Sequence, residues 1–355
     1  MCAPNRLFRT LPSLTSLVGH LVPNPIFSLT AAVVLLATAS GAPAFGQLTW
    51  YRFDKNFIDS HYSQDGGAIG TLKVSAMHPA KNAHPVSCGG DDGELHMGIA
   101  ENALGRGLAS AFANEHDSNF GMVGEPPNVK NGSPFLKAME AADGDSAMFF
   151  GYFRLWNEGH DRGPTYPSNP HHVLEVHPAW GIRTRSVNYQ PRPSTIFSMP
   201  GFSGYGASKF VPMLKSVPTW LRVAEDQTSV YVQLQRADNF YQLPVIVRQV
   251  RTFESDAGTA ALVDVYSDTQ HQHMVYQGLT IVTATGENVA SRLQANWSTY
   301  LLGFFSVNLK KAEAIAAGHG RSGAVPAPGA LEFFAFGVPL QKAVSSSRPC
   351  TEEDD

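Results

Sequence analysis

Residues 146–183 constrain the fold of this chain more than any other stretch. Ser146-Ala-Met-Phe-Phe-Gly-Tyr-Phe-Arg-Leu-Trp-Asn-Glu158 and His171-His-Val-Leu-Glu-Val-His-Pro-Ala-Trp-Gly-Ile182 read as two strands joined by a polar, Pro-rich loop. Side chains alternate along a strand, so His171, Glu175 and His177 are expected on one face. Two imidazoles and a carboxylate there suit a divalent metal, zinc or similar. They also suit a buried polar network in which each group satisfies another.

The surrounding composition agrees with strands. The 355-residue chain is 43% hydrophobic but only 16% charged, and it holds 32 Gly and 24 Pro. Few charges and many turn formers favour a β-rich protein over a helical one. Before residue 190 the strand patterns enclose one well-punctuated helix. Ser133 can cap it, Pro134 opens it, Phe135–Ala142 supply helix formers, and Gly144 can end it. Residues 100–119, rich in Ala, Gly and Asn, have room for another short helix.

Strands, one helix and more strands suggest an oligonucleotide/oligosaccharide-binding (OB) type of barrel over residues 47–190. Residues 191–218 read as a linker, rich in Pro, Ser and Gly. Beyond it, segments 220–224, 229–235, 241–250, 261–266, 274–282 and 331–336 alternate as strands, and 307–317 suit a helix. The expectation is a mainly β protein: an OB-like barrel with one inserted helix, followed by a second β-barrel or β-sandwich domain over residues 219–340. Residues 341–355 form an acidic tail.

The start of the chain predicts export. Arg6 and Arg9 are the only Lys, Arg, Asp or Glu before residue 50. The apolar run Leu29–Ala37 and the small-residue exit Ala42-Pro43-Ala44 follow, which together describe a signal peptide over residues 1–46. An uncleaved anchor is the alternative reading, but the run is shorter than the roughly 20 residues of a membrane span, so cleavage is expected, leaving no transmembrane segment. A secreted or periplasmic location follows. Cleavage would move the formal charge from −4 to −6, and that acidity argues against nucleic acid as a partner. Cys88 and Cys350 would then remain, as a disulfide or as two separate thiols.

Four segments carry a resemblance. They are Asp92-Gly-Glu-Leu-His96, Gly121-Met-Val-Gly-Glu125, Gly151-Tyr-Phe-Arg-Leu-Trp156-Asn-Glu158 and Asn169-Pro-His-His-Val-Leu-Glu175-Val-His177-Pro178. Together they resemble a group of uncharacterised exported bacterial proteins with Asp-Gly-Asp-x-His, Gly-x-Trp-Arg-Leu-Trp-x-Glu and His-Val-Phe-Glu-Ile-His-Pro strands. This chain departs from that pattern at Glu94 and at Phe153, where Asp and Trp are expected. The resemblance spans roughly residues 85–182. It implies export and an OB-like barrel, and no particular chemistry.

Glu94-x-His96 repeats the carboxylate–imidazole spacing of Glu175-x-His177. If the two strands adjoin, four potential metal ligands meet, with His171 as a fifth. Arg154 is a partner for the same carboxylates in the network alternative. Glu158 enters the loop at the end of its strand, beside His160, and would line the barrel mouth. Trp156 and Trp180 would flank the site, where aromatic planes suit a saccharide, or else belong to the core. Metal ligands are therefore sought in His171, Glu175 and His177, and other binding groups in Glu94, His96, Arg154, Trp156, Glu158 and Trp180.

Two functions fit these residues. One is an exported binding or surface-associated module for a small-molecule, saccharide or protein ligand. The other is a divalent-metal-dependent, nuclease-like hydrolase with its site on the first barrel. A basic setting around Glu175 would favour the nuclease, and an acidic one the binding module. No Gly-x-Ser-x-Gly elbow, P-loop or Cys-x-x-Cys motif is present.

Overall fold

The computed structural model describes residues 48–62, 67–85, 93–107, 119–161, 164–190, 204–252, 258–287, 289–320 and 323–337. The expected signal peptide, Cys88, Cys350 and the acidic tail lie outside these residues. The protein is mainly β, as its composition and periodicity predict, and a closed five-stranded barrel is present.

In the first half, β1 (Thr49–Asp54) and α1 (Lys55–His61) precede a ring of strands. The ring comprises β2 (Ile69–Val74), β3 (His78–Pro79), β4 (Met97–Gly107), β5 (Asn119–Gly124), β6 (Ala147–Leu155) and β7 (Leu174–Arg183). β3 pairs with β4 and β4 with β5, both antiparallel. β5 pairs in parallel with β7. β7 pairs with β6 and β6 with β2, again antiparallel. Since β2 runs into β3 within a few residues, the two act as one bent first strand, and the path returns to its start. The spatial order is first, second, third, fifth, fourth. Helix α2 (Pro134–Ala141) is inserted between third and fourth, which is the OB-type arrangement. Ser133 caps α2 by accepting from Leu136 N at 3.2 Å, and Gly144 turns the chain away with φ 81°.

The second half repeats that wiring. β11 (Phe240–Thr252), β12 (Gly258–Tyr266), β13 (Met274–Ala284), β14 (Ser298–Val307) and β16 (Leu331–Gly337) form the closed barrel. The long β11 pairs with β14 through residues 240–246 and with β12 through 245–252. β13 lies parallel to β16. The order is again first, second, third, fifth, fourth, with α4 (Leu309–Gly318) now between fourth and fifth.

Residues 222–234 were expected within the second domain, yet they extend the first sheet. β9 (Arg222–Glu225) and β10 (Ser229–Leu234) join it through β1, which pairs with β10 from Thr49↔Leu234 to Asp54↔Ser229 and with the end of β4 at Tyr51↔Gly107 and Arg52↔Arg106. The short strands β8 (Asn188–Tyr189) and β15 (Val325–Pro326) pair with β7 and β9. The two halves also meet through side chains. Glu332 of β16, fully buried, accepts from Tyr152 Oη of β6 at 2.5 Å, from Asn308 Nδ2 at 3.2 Å and from Gly67 N at 3.1 Å. Phe53, Phe153, Trp156, Val176, Trp220, Phe305 and Phe333 belong to one continuous core; each such burial contributes about 1.5–3 kcal/mol.

Two local expectations are corrected. Residues 100–107 belong to β4 rather than to a helix; Ala, Gly and Asn discriminate weakly, and pairing with β5 recruits them. Residues 207–218 of the expected linker lie in α3 (Ala207–Trp220), with Pro212 and Pro218 inside it. An interior proline costs a helix about 3 kcal/mol. Here Phe210, Met213, Leu214, Val217 and Trp220 are all buried at helical spacing, and that apolar stripe outweighs the loss.

Candidate metal centre

β7 supplies two groups by alternation: Glu175 and His177 are both buried, at 1% and 0% exposure. Arg154 of β6 stands opposite Glu175 in the antiparallel register. Its guanidinium is fully buried, donates from Nη1 to Glu175 Oε2 at 3.3 Å and to Glu158, and lies 4.3 Å over the Phe304 ring.

β5 delivers a carboxylate that sequence reasoning did not place in the site. Glu125 directly follows that strand, just before Pro126 and Pro127. Its N–H donates to Val176 O at 3.0 Å and its carbonyl accepts from Ala179 N at 2.9 Å. This stitches Glu125 beside His177, whose Nδ1 meets Glu125 Oε2 in a short hydrogen bond.

The segment before β4 adds a third side. Gly93 (φ 74°) turns the chain into Glu94 and His96, both buried. His84 N donates to Glu94 O and Ala80 N to His96 O, each at 2.8 Å, so the loop carrying His84 runs alongside. His96 Nε2 lies 3.1 Å from Glu125 Oε1 and 3.9 Å from Glu94 Oε1, and His84 Nδ1 lies 3.8 Å from Glu94 Oε1.

The loop between β6 and β7 closes the set. His172 N donates to His160 O at 3.2 Å, bringing the two imidazoles together with Nδ1 of His160 2.9 Å from Nε2 of His172. His172 Nδ1 lies 2.7 Å from Pro170 O. A carbonyl only accepts, so Nδ1 carries a proton, and Nε2 lies 3.5 Å from Glu175 Oε1. Metal-binding histidines are commonly held by this kind of outer hydrogen bond.

Six of the expected residues therefore converge: Glu94, His96, Arg154, Glu158, Glu175 and His177. Among the described residues, His171 is in none of the clusters able to hold an ion; His172 takes that place. β7 begins only at Leu174, so strict alternation does not reach back to 171. Trp156 packs against Trp220 and Phe305, and Trp180 against Phe150 and Phe334. At 2% and 3% exposure neither tryptophan offers a face to a saccharide. His84, Glu125, His160 and His172 complete the cluster. Glu125 and His172 lie in resembling segments and His160 beside the barrel mouth; for His84 the chain order carries no signal.

Electrostatically the cluster is acidic, with four glutamates against one arginine. Burial pushes the imidazoles down, His96 to about 3 and His160 and His177 to about 4, so these rings are neutral and available as ligands. Burial raises Glu125 well above the carboxylate range, reinforced by the nearby Glu175 charge. Burial also lifts Glu158 to about 8, against the pull of Arg154. For Glu175 burial works upward, yet His172 and Arg154 hold its carboxyl well below the ordinary range.

Among the described residues, three triads have ligand atoms within 4.8 Å of one another and could hold a metal ion: His84/Glu94/His96, His160/His172/Glu175 and Glu125/Glu175/His177. The cluster runs from the interior to the surface, where the His84 side chain is 39% exposed and that of Glu158 15%. No protein-family model, no curated protein and no solved structure matches this chain.

Proposed function

We propose that this protein is an exported metal-binding module that takes a divalent transition metal, zinc or similar, into its first barrel. The carrying observation is the convergence of neutral imidazoles and excess carboxylates inside one ring of strands. Nitrogen and carboxylate oxygen together suit borderline ions such as Zn²⁺. A bound cation also offsets a negative charge that Arg154 alone does not balance.

The acidic setting around Glu175 favours a binding module over a nuclease, which must grip phosphate. Hydrolysis of another substrate is the second reading, and one observation favours it. Glu158 stands at the rim beside the His160/His172/Glu175 group, where a carboxylate outside the ligand set can act as general base.

Metal analysis of protein purified without an affinity tag tests the reading, followed by zinc titration of the chelator-treated chain by calorimetry. Stoichiometric zinc, or a dissociation constant of about 1 μM or tighter, is expected. A chain that neither retains nor takes up zinc, cobalt or manganese would make the cluster a structural network.

A further inference from the structure

We propose that the metal centre is binuclear and that Glu175 bridges its two ions; this rests on the metal-binding reading above. Glu175 is common to two of the triads, an outer one with His160 and His172 and an inner one with Glu125 and His177. A carboxylate has two oxygens and about four lone-pair sites, enough to serve two cations. Two-metal sites hold their ions about 3.5–4 Å apart, a separation that one bridging carboxylate can span. Glu175 is fixed for the task from both neighbouring strands, paired with Arg154 on one side and with Val123 on the other.

The two positions differ in access. The outer triad reaches the surface through half-buried His160, beside Glu158. The inner triad is sealed: Glu125, Glu175 and His177 are 3%, 1% and 0% exposed. His172 has its Nδ1–H tied to Pro170 O, which presents Nε2 to the outer position. The outer ion therefore exchanges readily, whereas the inner ion leaves only when the barrel opens.

The test is metal stoichiometry and release on the full chain loaded with zinc. Two equivalents are expected, one removed quickly by EDTA and one retained at least tenfold longer. His160→Ala removes the fast equivalent, His177→Ala the slow one, and Glu175→Gln weakens both by 100-fold or more. Loading with manganese provides a readout that needs no variant: exchange coupling in the electron paramagnetic resonance spectrum requires two ions that share a ligand.

A single equivalent would overturn the bridge while leaving metal binding intact. No equivalent would remove both readings. Two equivalents without coupling, or a second one lost in His84→Ala rather than His160→Ala, would place that ion at the His84/Glu94/His96 group and sink the bridge.

Discussion

Arg154 and Glu175 face one another across the β6–β7 register with Nη1 and Oε2 3.3 Å apart, both nearly inaccessible to solvent. A cation and an anion buried together are costly to separate, because removing one strands the other in low dielectric.

Arg154→Met leaves Glu158 and Glu175 without their counter-charge. A stability loss of about 3–5 kcal/mol is expected. Urea denaturation with and without zinc measures it. Zinc should restore more stability to the variant than to the parent, since the ion supplies the missing positive charge. A loss below about 1 kcal/mol would mean the pair behaves like a surface ion pair.

Gly98 acts on the centre without belonging to it. A Cβ there would lie 1.9 Å from Pro167 O and 3.4 Å from Pro170 Cδ, in the loop that holds His160 and His172. Gly98→Ala must push that loop away, and with it the carbonyl that orients His172. Zinc affinity is expected to fall about 10–100-fold, the usual penalty for disturbing outer-shell support. Calorimetric titration of the variant checks this; unchanged affinity would show that the loop does not position the ligand.

Glu332 links the barrels by accepting from Tyr152, Asn308 and Gly67 N. Glu332→Gln replaces one acceptor oxygen by an amide that only donates, so a donor meets donors. The expected cost is about 1–3 kcal/mol, read by chemical denaturation, with zinc affinity preserved because the centre lies elsewhere.

Glu287 gives the protein a pH-dependent stability of its own. Burial raises its pKa from 4.5 to about 8, and Oε1 has no hydrogen-bond partner among the described residues. The folded chain therefore holds this proton more tightly than the unfolded chain. The associated stability is present below pH 4.5 and is lost as pH climbs toward about 8. At about 1.4 kcal/mol per pH unit, the loss between pH 4.5 and 8 is on the order of 5 kcal/mol. Glu287→Gln should flatten that part of the profile and be the more stable protein at alkaline pH. Parallel slopes for the two proteins would contradict this.

Much of the architecture was legible in the chain. The capped helix at Ser133–Gly144 and the alternating runs beyond residue 219 are local signals, and local physics decided them. What escaped was set by distance or packing. The α3 helix runs through two prolines because its apolar stripe is buried, which no window of sequence weighs. The pairing of β1 with β10 joins residues about 180 apart, beyond any periodicity.

At the centre, alternation identified Glu175 and His177, and the repeated spacing found Glu94 and His96. Alternation then misled at His171, which lies outside the strand, and so concealed His172. Glu125 lies in a resembling segment, yet the two prolines after it speak of a strand ending rather than of a ligand. Trp156 and Trp180 show the reverse error: large aromatics near carboxylates suggest a binding face, and the packing of a second barrel against the first covers both.

The pairing of β1 with β10 has a consequence for biosynthesis. A ribosome delivers Thr49–Asp54 long before Ser229–Leu234, so the edge of β1 that β10 later covers is bare while the intervening chain is made. Contacts so distant along the polypeptide slow maturation and leave an open strand edge as a template for misassociation. For this protein the vulnerable interval ends only when the later strand emerges, and a holdase that shields the nascent edge would raise the yield of native molecules more than one acting on the finished chain.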